Sequence, residues 1–248
     1  MRVVKILIVL LIPLFLFSQQ NLPYKMGEYT SYNISFEGIN VAFADIHIKN
    51  SILINKTPTF HVVAKAKTAS FFDLFFKVRD TYETYIDTSC LLPVRFYRNI
   101  QEGGHKKIQR YNFQHKKKKV YFKDTSHVIF ETTQDMLSAF FYARTFSNEN
   151  LNNETKFTVP VFMDEENFDL DILYLYNEIL ETKIGKINCM VFKPIMQEGR
   201  VFEDGEQMKV WISDDDNRLL IKVETEIWAG TIKAEVLRVK NVQHKYNQ

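Results

Sequence analysis

Phe60-His61-Val62-Val63-Ala64-Lys65-Ala66-Lys67 is the stretch that decides the fold. Its even positions are apolar and its odd positions mostly polar. A repeat of two places alternate side chains on opposite faces of an extended chain, so this is a strand with one buried face. The same reading extends outward to Val78–Asp87, Lys156–Phe162, Phe168–Tyr176, Lys186–Phe192, Met208–Ser213 and Leu219–Ile227, all rich in β-branched and aromatic residues.

Turns join these strands. Gly103-Gly104 suits a two-residue hairpin whose backbone twist matches the flanking strands. It sets Phe96 opposite Tyr111 and Val94 opposite Phe113, an aromatic cross-strand ladder. Ala229-Gly230 is a second candidate, setting Ile227 against Ile232 and Glu226 against Lys233. That register also opposes Glu224 and Glu235, which is unfavourable and leaves a bulge or another turn open.

One segment departs from the pattern. In Asp135–Phe146, the spacing of Met136, Phe140 and Ala143, with Leu137 and Phe141, predicts a helix with a Thr or Asp cap. Phe140 and Phe141 are both expected to be buried. A helix this apolar requires cover, and a large antiparallel sheet curls to protect its edges. The expected fold is therefore mainly β: a curved antiparallel sheet or open barrel with one helix packed on its concave side. The Asn-rich stretch Ser147–Thr155 reads as a loop, and the strand pattern resumes after it without linker composition.

Arg2 and Lys5 precede an unbroken apolar run, Ile6–Phe17, and Ser18-Gln19 offers a cleavage point. This is the layout of a secretory signal peptide over residues 1–18, leaving residues 19–248 as a single β-rich domain. The run is shorter than the roughly 20 residues needed to span a bilayer, so no transmembrane anchor is expected after its removal. No Cys lies near the cut to take a lipid. Cleavage removes two basic residues and no acid, leaving 30 of each sign in the mature chain. Nothing in that balance points to nucleic acid. The expected location is the periplasm or beyond.

Of the two cysteines, an oxidising compartment permits a bridge between Cys90 and Cys189. Cys189 alternates with Ile187 and Val191 on an apparent buried face, which favours a free thiol. No nucleophile elbow, zinc-protease helix or phosphate loop is present, so no catalytic residue is assigned and no cofactor or metal is expected. His47 and His61 lack a third ligand. Asp214-Asp215-Asp216-Asn217 lacks the Gly and distal Glu of a calcium loop, and His115–Lys119 reads as a solvated basic turn. The candidate ligand-binding residues are the aromatic cluster Phe71, Phe72, Phe75 and Phe76, the charges Arg79, Arg98 and Arg144 set among apolar runs, and Trp211.

Several segments taken together resemble the bacterial family called domain of unknown function 3108. They are Gly27-Glu28-x-x-x-Tyr32, Lys77–Asp87, Leu92-Pro93 with Arg98–Gly104, Gln134–Arg144 and Val210–Asp215, in the family's order. Where the family often carries a Gly associated with a bulge, this chain has Val41-Ala42-Phe43-Ala44. The resemblance implies an exported β-rich domain and no activity.

The leading expectation is a non-enzymatic exported protein that holds an apolar or amphipathic envelope ligand, lipid or glycan. The alternative is a structural or assembly partner of another envelope protein. A second alternative is a hydrolase of an envelope polymer working through Asp80 or Asp87 with Glu102. N-terminal sequencing of the protein from its native host should return a start near Gln19; a start at Met1 or Arg2 contradicts export.

Overall fold

The computed structural model describes residues 22–195 and 207–245; the signal peptide expected over residues 1–18 lies outside them. Fourteen strands form one antiparallel sheet. In chain order they are β1 (Tyr29–Phe36), β2 (Ile39–Ile54), β3 (Thr57–Thr68), β4 (Arg79–Asp87), β5 (Pro93–Glu102), β6 (His105–Gln114), β7 (Lys119–Phe122) and β8 (Thr125–Val128). After the helix α1 (Met136–Ala143) come β9 (Lys156–Met163), β10 (Glu166–Thr182), β11 (Gly185–Ile195), β12 (Gln207–Ser213), β13 (Leu220–Ile227) and β14 (Gly230–Lys240). The spatial order runs from β8 back to β1, then from β14 back to β9. Every pair in the sheet thus joins sequential strands except β1–β14, which joins the two runs.

The sheet curls until its two edges, β8 and β9, face each other, but they do not pair and the barrel stays open. Phe162 on β9 lies 5.2 Å from the Tyr111 ring on β6 and 5.4 Å from His127 on β8. Asn167 at the start of β10 donates to the Val128 carbonyl at 2.7 Å. Gln134 lies along the edge of β9, its N–H bonded to the Pro160 carbonyl and its carbonyl to the Phe162 N–H. An open β edge is a site for aggregation, and this cover removes it.

Both faces of β9 are buried. Phe162 joins the main core with Ile48, Val62, Phe96 and Tyr111. Its neighbours Val161 and Val159 point the other way, against Ala139 and Phe168. Helix α1 feeds both cores, giving Leu137 and Phe141 to the first and Ala139 to the second. It touches β4 and β9, nine places apart in the sheet order. Phe141 is buried as expected, whereas Phe140 is only half-buried.

The hairpin at Gly103-Gly104 has the expected register, Phe96 opposite Tyr111 and Glu102 opposite His105. Gly103 has φ +57°, and a Cβ there would stand 2.9 Å from the Phe76 ring. The β13–β14 hairpin differs from expectation. Its turn is Trp228-Ala229, and Ile227 pairs with Gly230. This two-residue shift puts Glu224 opposite Lys233, 3.3 Å away, in place of Glu235. The like-charge clash of the expected register is thereby relieved. A register shift also occurs where the Gly was missing: Ile34 pairs with Ala42 but Ser35 with Asn40, skipping Val41.

Asp135 caps α1. Its carboxylate accepts the Leu137 and Ser138 N–H groups at 2.9 and 2.8 Å, and the Ser138 hydroxyl accepts the Asp135 N–H. Thr84 on β4 donates to the other carboxylate oxygen at 2.5 Å, tying the helix start to the sheet. Burial raises the Asp135 pKa to about 6, against the pull of these donors. Between about pH 4 and 6 the folded chain therefore keeps a proton that the unfolded chain releases, and stability falls as pH rises through that window, by roughly 3 kcal/mol. Asparagine retains the cap without the charge. The stability advantage of wild type over Asp135→Asn should therefore shrink by about 2–3 kcal/mol between pH 4 and pH 7 in urea denaturation. A gap that stays constant or widens contradicts the assignment.

Candidate functional site

The end of α1 is held by a buried ion pair. Arg144 and Glu28 are 3% and 4% exposed at their side chains and approach to 2.6 Å. The guanidinium also donates to the carbonyls of Pro23 at 3.0 Å and Asn217 at 2.7 Å. The Tyr24, Phe140 and Phe141 rings surround it. Three distant pieces of chain, before β1, after α1 and between β12 and β13, meet at this one cation.

An apolar cavity of about 190 Å³ opens beside the pair. The roof is Met136, Ala139, Phe140 and Ala143 of α1, and the floor includes Phe157, Ile172, Met190, Phe192 and Ile212 from β9 to β12. Met190 and Phe192 alternate along β11 with Cys189 and Val191, which enter a different core on the opposite face. A strand apolar on both faces is one covered on both. That was the available signal for this site, but the pattern does not say that the cover leaves a space.

The polar groups at the cavity are Ser147 and Asn148, from the predicted loop, with Arg144 and Arg218. Arg218 donates to the Arg144 carbonyl at 2.8 Å and to the Asn148 amide oxygen at 3.2 Å. It has no carboxylate partner among the described residues. Its Nε is buried and without a hydrogen bond, as is the Arg144 Nε. An apolar space beside a cation that no carboxylate neutralises is suited to an amphipathic anion.

Of the eight candidate residues, Arg144 alone borders this cavity. Arg98 is buried, bonded to Gln109 and Asp164. Trp211 is buried, its indole N–H donating to Glu178 at 2.8 Å, with the Lys222 ammonium 4.3 Å from its ring. Phe71, Phe72, Phe75 and Phe76 belong to the β3–β4 connection, which includes one 3₁₀ turn, Phe72–Leu74. There Arg79 grips Asp73 through two hydrogen bonds, 2.9 and 2.5 Å long, so the Asp within the aromatic cluster is paired. The cavity residues Arg218, Asn148, Met190 and Phe192 were not among the sequence candidates.

Other candidate chemistry is bound up in protein contacts. Asp80 and Glu102 share a hydrogen bond, and burial followed by the Asp80 charge raises the Glu102 pKa. Direct contact differs from the separation of roughly 5–9.5 Å used in glycoside hydrolysis. Asp87 lies at the far end of β4, seven residues or roughly 23 Å from Asp80. Asp215 accepts from Ser213, Asn217 and Arg218 in its turn. His61 bonds Glu83 at 2.7 Å and stacks on Tyr85. Cys90 and Cys189 are both free thiols, and burial pushes the Cys189 thiol up to about 12. No helix among the described residues is long and apolar enough to cross a membrane.

The curled sheet, its edge cover and its helix define a barrel-like β protein. The chain belongs to the DUF3108 family, proteins of unknown function, whose model matches residues 31–236. Among solved structures it is similar to a β-barrel-like protein of the DUF1849 family from Brucella abortus, with TM-score 0.54 and 7% identity over 88% of this chain and 98% of that one. It also matches a candidate lipoprotein from Parabacteroides distasonis, with TM-score 0.41 and 10% identity over 89% and 98%. A candidate exported protein from Bacteroides fragilis gives TM-score 0.35 and 9% identity over 89% and 98%. These likenesses concern the fold, and none establishes an activity or a ligand. No curated protein matches the chain.

Proposed function

We propose that this protein is an exported, non-enzymatic binding protein, and that its ligand is an envelope amphipath whose apolar end enters the cavity between α1 and β9–β12. The observation that carries this reading is the cavity itself: apolar side chains on nearly every side, with Arg218 and Asn148 among the few polar groups. Its volume of about 190 Å³ is below the usual range for whole drug-sized ligands, roughly 300–1,000 Å³. It suits part of a molecule, such as the end of an acyl chain, with the rest outside. Arg218 favours an acidic head group, because its buried Nε and open charge are best satisfied by an anion. Export rests on the N-terminal charge and apolar run.

The test uses a fluorescent fatty acid and its methyl ester. Ala143 is half-buried at the cavity, so Ala143→Phe fills the space without entering the main core. It should weaken both probes about tenfold or more, consistent with roughly 1.5–3 kcal/mol for a buried apolar group, with the denaturation midpoint little changed. Arg218→Gln should weaken the acid about tenfold and leave the ester unaffected. Wild-type protein that binds neither probe, and carries no amphipath when purified from its native envelope, contradicts the reading.

A further inference from the structure

Charge is divided between the two runs of strands. Residues 39–131, which hold β2 to β8, carry 16 Lys and Arg against 8 Asp and Glu, a net charge of +8. The rest of the chain after residue 18 carries 14 against 22 and balances it. The β9–β10 turn brings Asp164, Glu165 and Glu166 to the seam, where Asp164 bonds Arg98 and Lys107 and Glu165 stands 3.6 Å from His127. Even with these three acids included, five positive charges stand unmatched in the basic half.

The excess is concentrated on the outer face of β2 to β7. Lys49, His61, Tyr85, Arg95, Asn112 and Tyr121 stand opposite one another on successive strands. They form a line across the sheet, roughly 25 Å long at ordinary strand spacing. Beside it runs a second line, His47, Val63, Glu83, Tyr97 and Arg110. Val62, Phe96 and Tyr111 alternate with these residues and point into the core. Lys49, Arg95 and Arg110, with Lys116, Lys117 and Lys119 at the adjoining β6–β7 end, have no ion pair among the described residues. The acids there are Glu83 and Asp87, both charged, while Glu131 cancels Lys118 at 2.7 Å. Six cations against two acids leave a net charge of +4. Asp45, the next acid on this face, stands opposite Lys65.

The two guanidinium groups are held in place without being neutralised. Arg95 Nε donates to the Asn112 amide oxygen at 3.0 Å, and Arg110 lies over the Tyr97 ring at 5.4 Å. A guanidinium fork held this way matches a carboxylate. At the Lys49 end the pairing of β2 with β3 skips between Lys49 and Ile52, and such bulges re-aim side chains. An open hollow of about 330 Å³ forms there, lined by His47, Lys49, Asn50, Ile52 and His61. The rings nearby are already occupied: His61 stacks on Tyr85 at 4.4 Å, and Arg110 covers Tyr97. They are poor platforms for nucleic-acid bases, which need open aromatic faces. Val63, the one aliphatic residue on the two lines, is 2% exposed, so the lines offer no apolar anchor to a bilayer or a protein partner. What they offer is positive charge and hydrogen bonds spread along an extended path. An extended chain of hydroxyls carrying repeated carboxylates complements that pattern.

We infer that this outer face binds a linear acidic polysaccharide, with Arg95 and Arg110 gripping its carboxylates and the hollow at Lys49 seating another. The inference is independent of the cavity, since none of these residues lines it. Titration calorimetry with polygalacturonate and alginate tests it, with methyl-esterified polygalacturonate and oligothymidylate as comparators. Wild-type protein should bind at least one of the two acidic chains, about tenfold more weakly in about 0.5 M salt, and should not bind the ester. Arg95→Gln with Arg110→Gln should weaken that binding about tenfold or more while keeping its circular dichroism and its uptake of the fatty-acid probe. Lys183→Gln with Lys186→Gln removes the same charge from the acidic half of the molecule and should bind as wild type does. Wild type that binds neither acidic chain overturns the inference, as does an arginine double variant that binds equally well. So does an equal loss in the lysine pair, which would reduce the effect to overall charge. Binding of oligothymidylate as tight as that of the acidic chains also overturns it, since the face would then recognise phosphodiesters.

Discussion

The ion pair between Arg144 and Glu28 is the constraint on which the rest of the structure depends. Taking two charges out of water costs several kcal/mol per ion, and is offset only when the pair has good geometry and most of its remaining hydrogen-bonding capacity is filled. Here the guanidinium is held by a carboxylate and two carbonyls, inside a ring of aromatic side chains. Those partners come from the segment before β1, the end of α1 and the β12–β13 turn. The pair therefore specifies how the helix, the amino-terminal segment and the second run of strands meet. Asp135 does the same at the helix start through Thr84 on β4. With both ends of α1 fixed, Phe141 seals the main core, and the outward side of the helix is left to roof the cavity.

Much of the sheet was legible because its local signals agree. The alternation from Phe60 to Lys67 appears as β3, and Gly103-Gly104 fixes the β5–β6 register through φ +57° at its first residue. The β13–β14 hairpin was misread by two residues because a Gly was taken to occupy the turn. Gly230 instead begins β14 with φ +139°, where a Cβ would stand 2.5 Å from the Glu37 carboxylate. The demand on that position comes from a neighbouring turn almost 200 residues away, which a local reading cannot see. Phe140 was misplaced for a similar reason. Helical spacing puts it on an apolar face, but that face borders a space.

The cavity was less legible than the fold. Its walls are ordinary core residues from α1 and four strands, distinguished only by what they fail to touch. Arg218 gave no local signal either, since its significance lies in meeting the Arg144 carbonyl and Asn148, 74 and 70 positions away. The cluster Phe71–Phe76 was visible as composition, but its exposure depends on the 3₁₀ turn and on the Asp73–Arg79 contact that holds it. Arg98 stands out in the sequence as a charge among apolar runs, and Trp211 as a candidate without that signal. Their partners Asp164 and Glu178 came from tertiary pairing alone.

The central role of the buried pair is tested most directly by a double-mutant cycle of Glu28→Gln and Arg144→Met, read by urea denaturation. Each single change should cost about 3–5 kcal/mol, because it leaves one charge buried without its partner. The double variant should be less destabilised than the sum by at least about 2 kcal/mol. Additive losses, or single variants within about 0.5 kcal/mol of wild type, would contradict a structure organised around this contact.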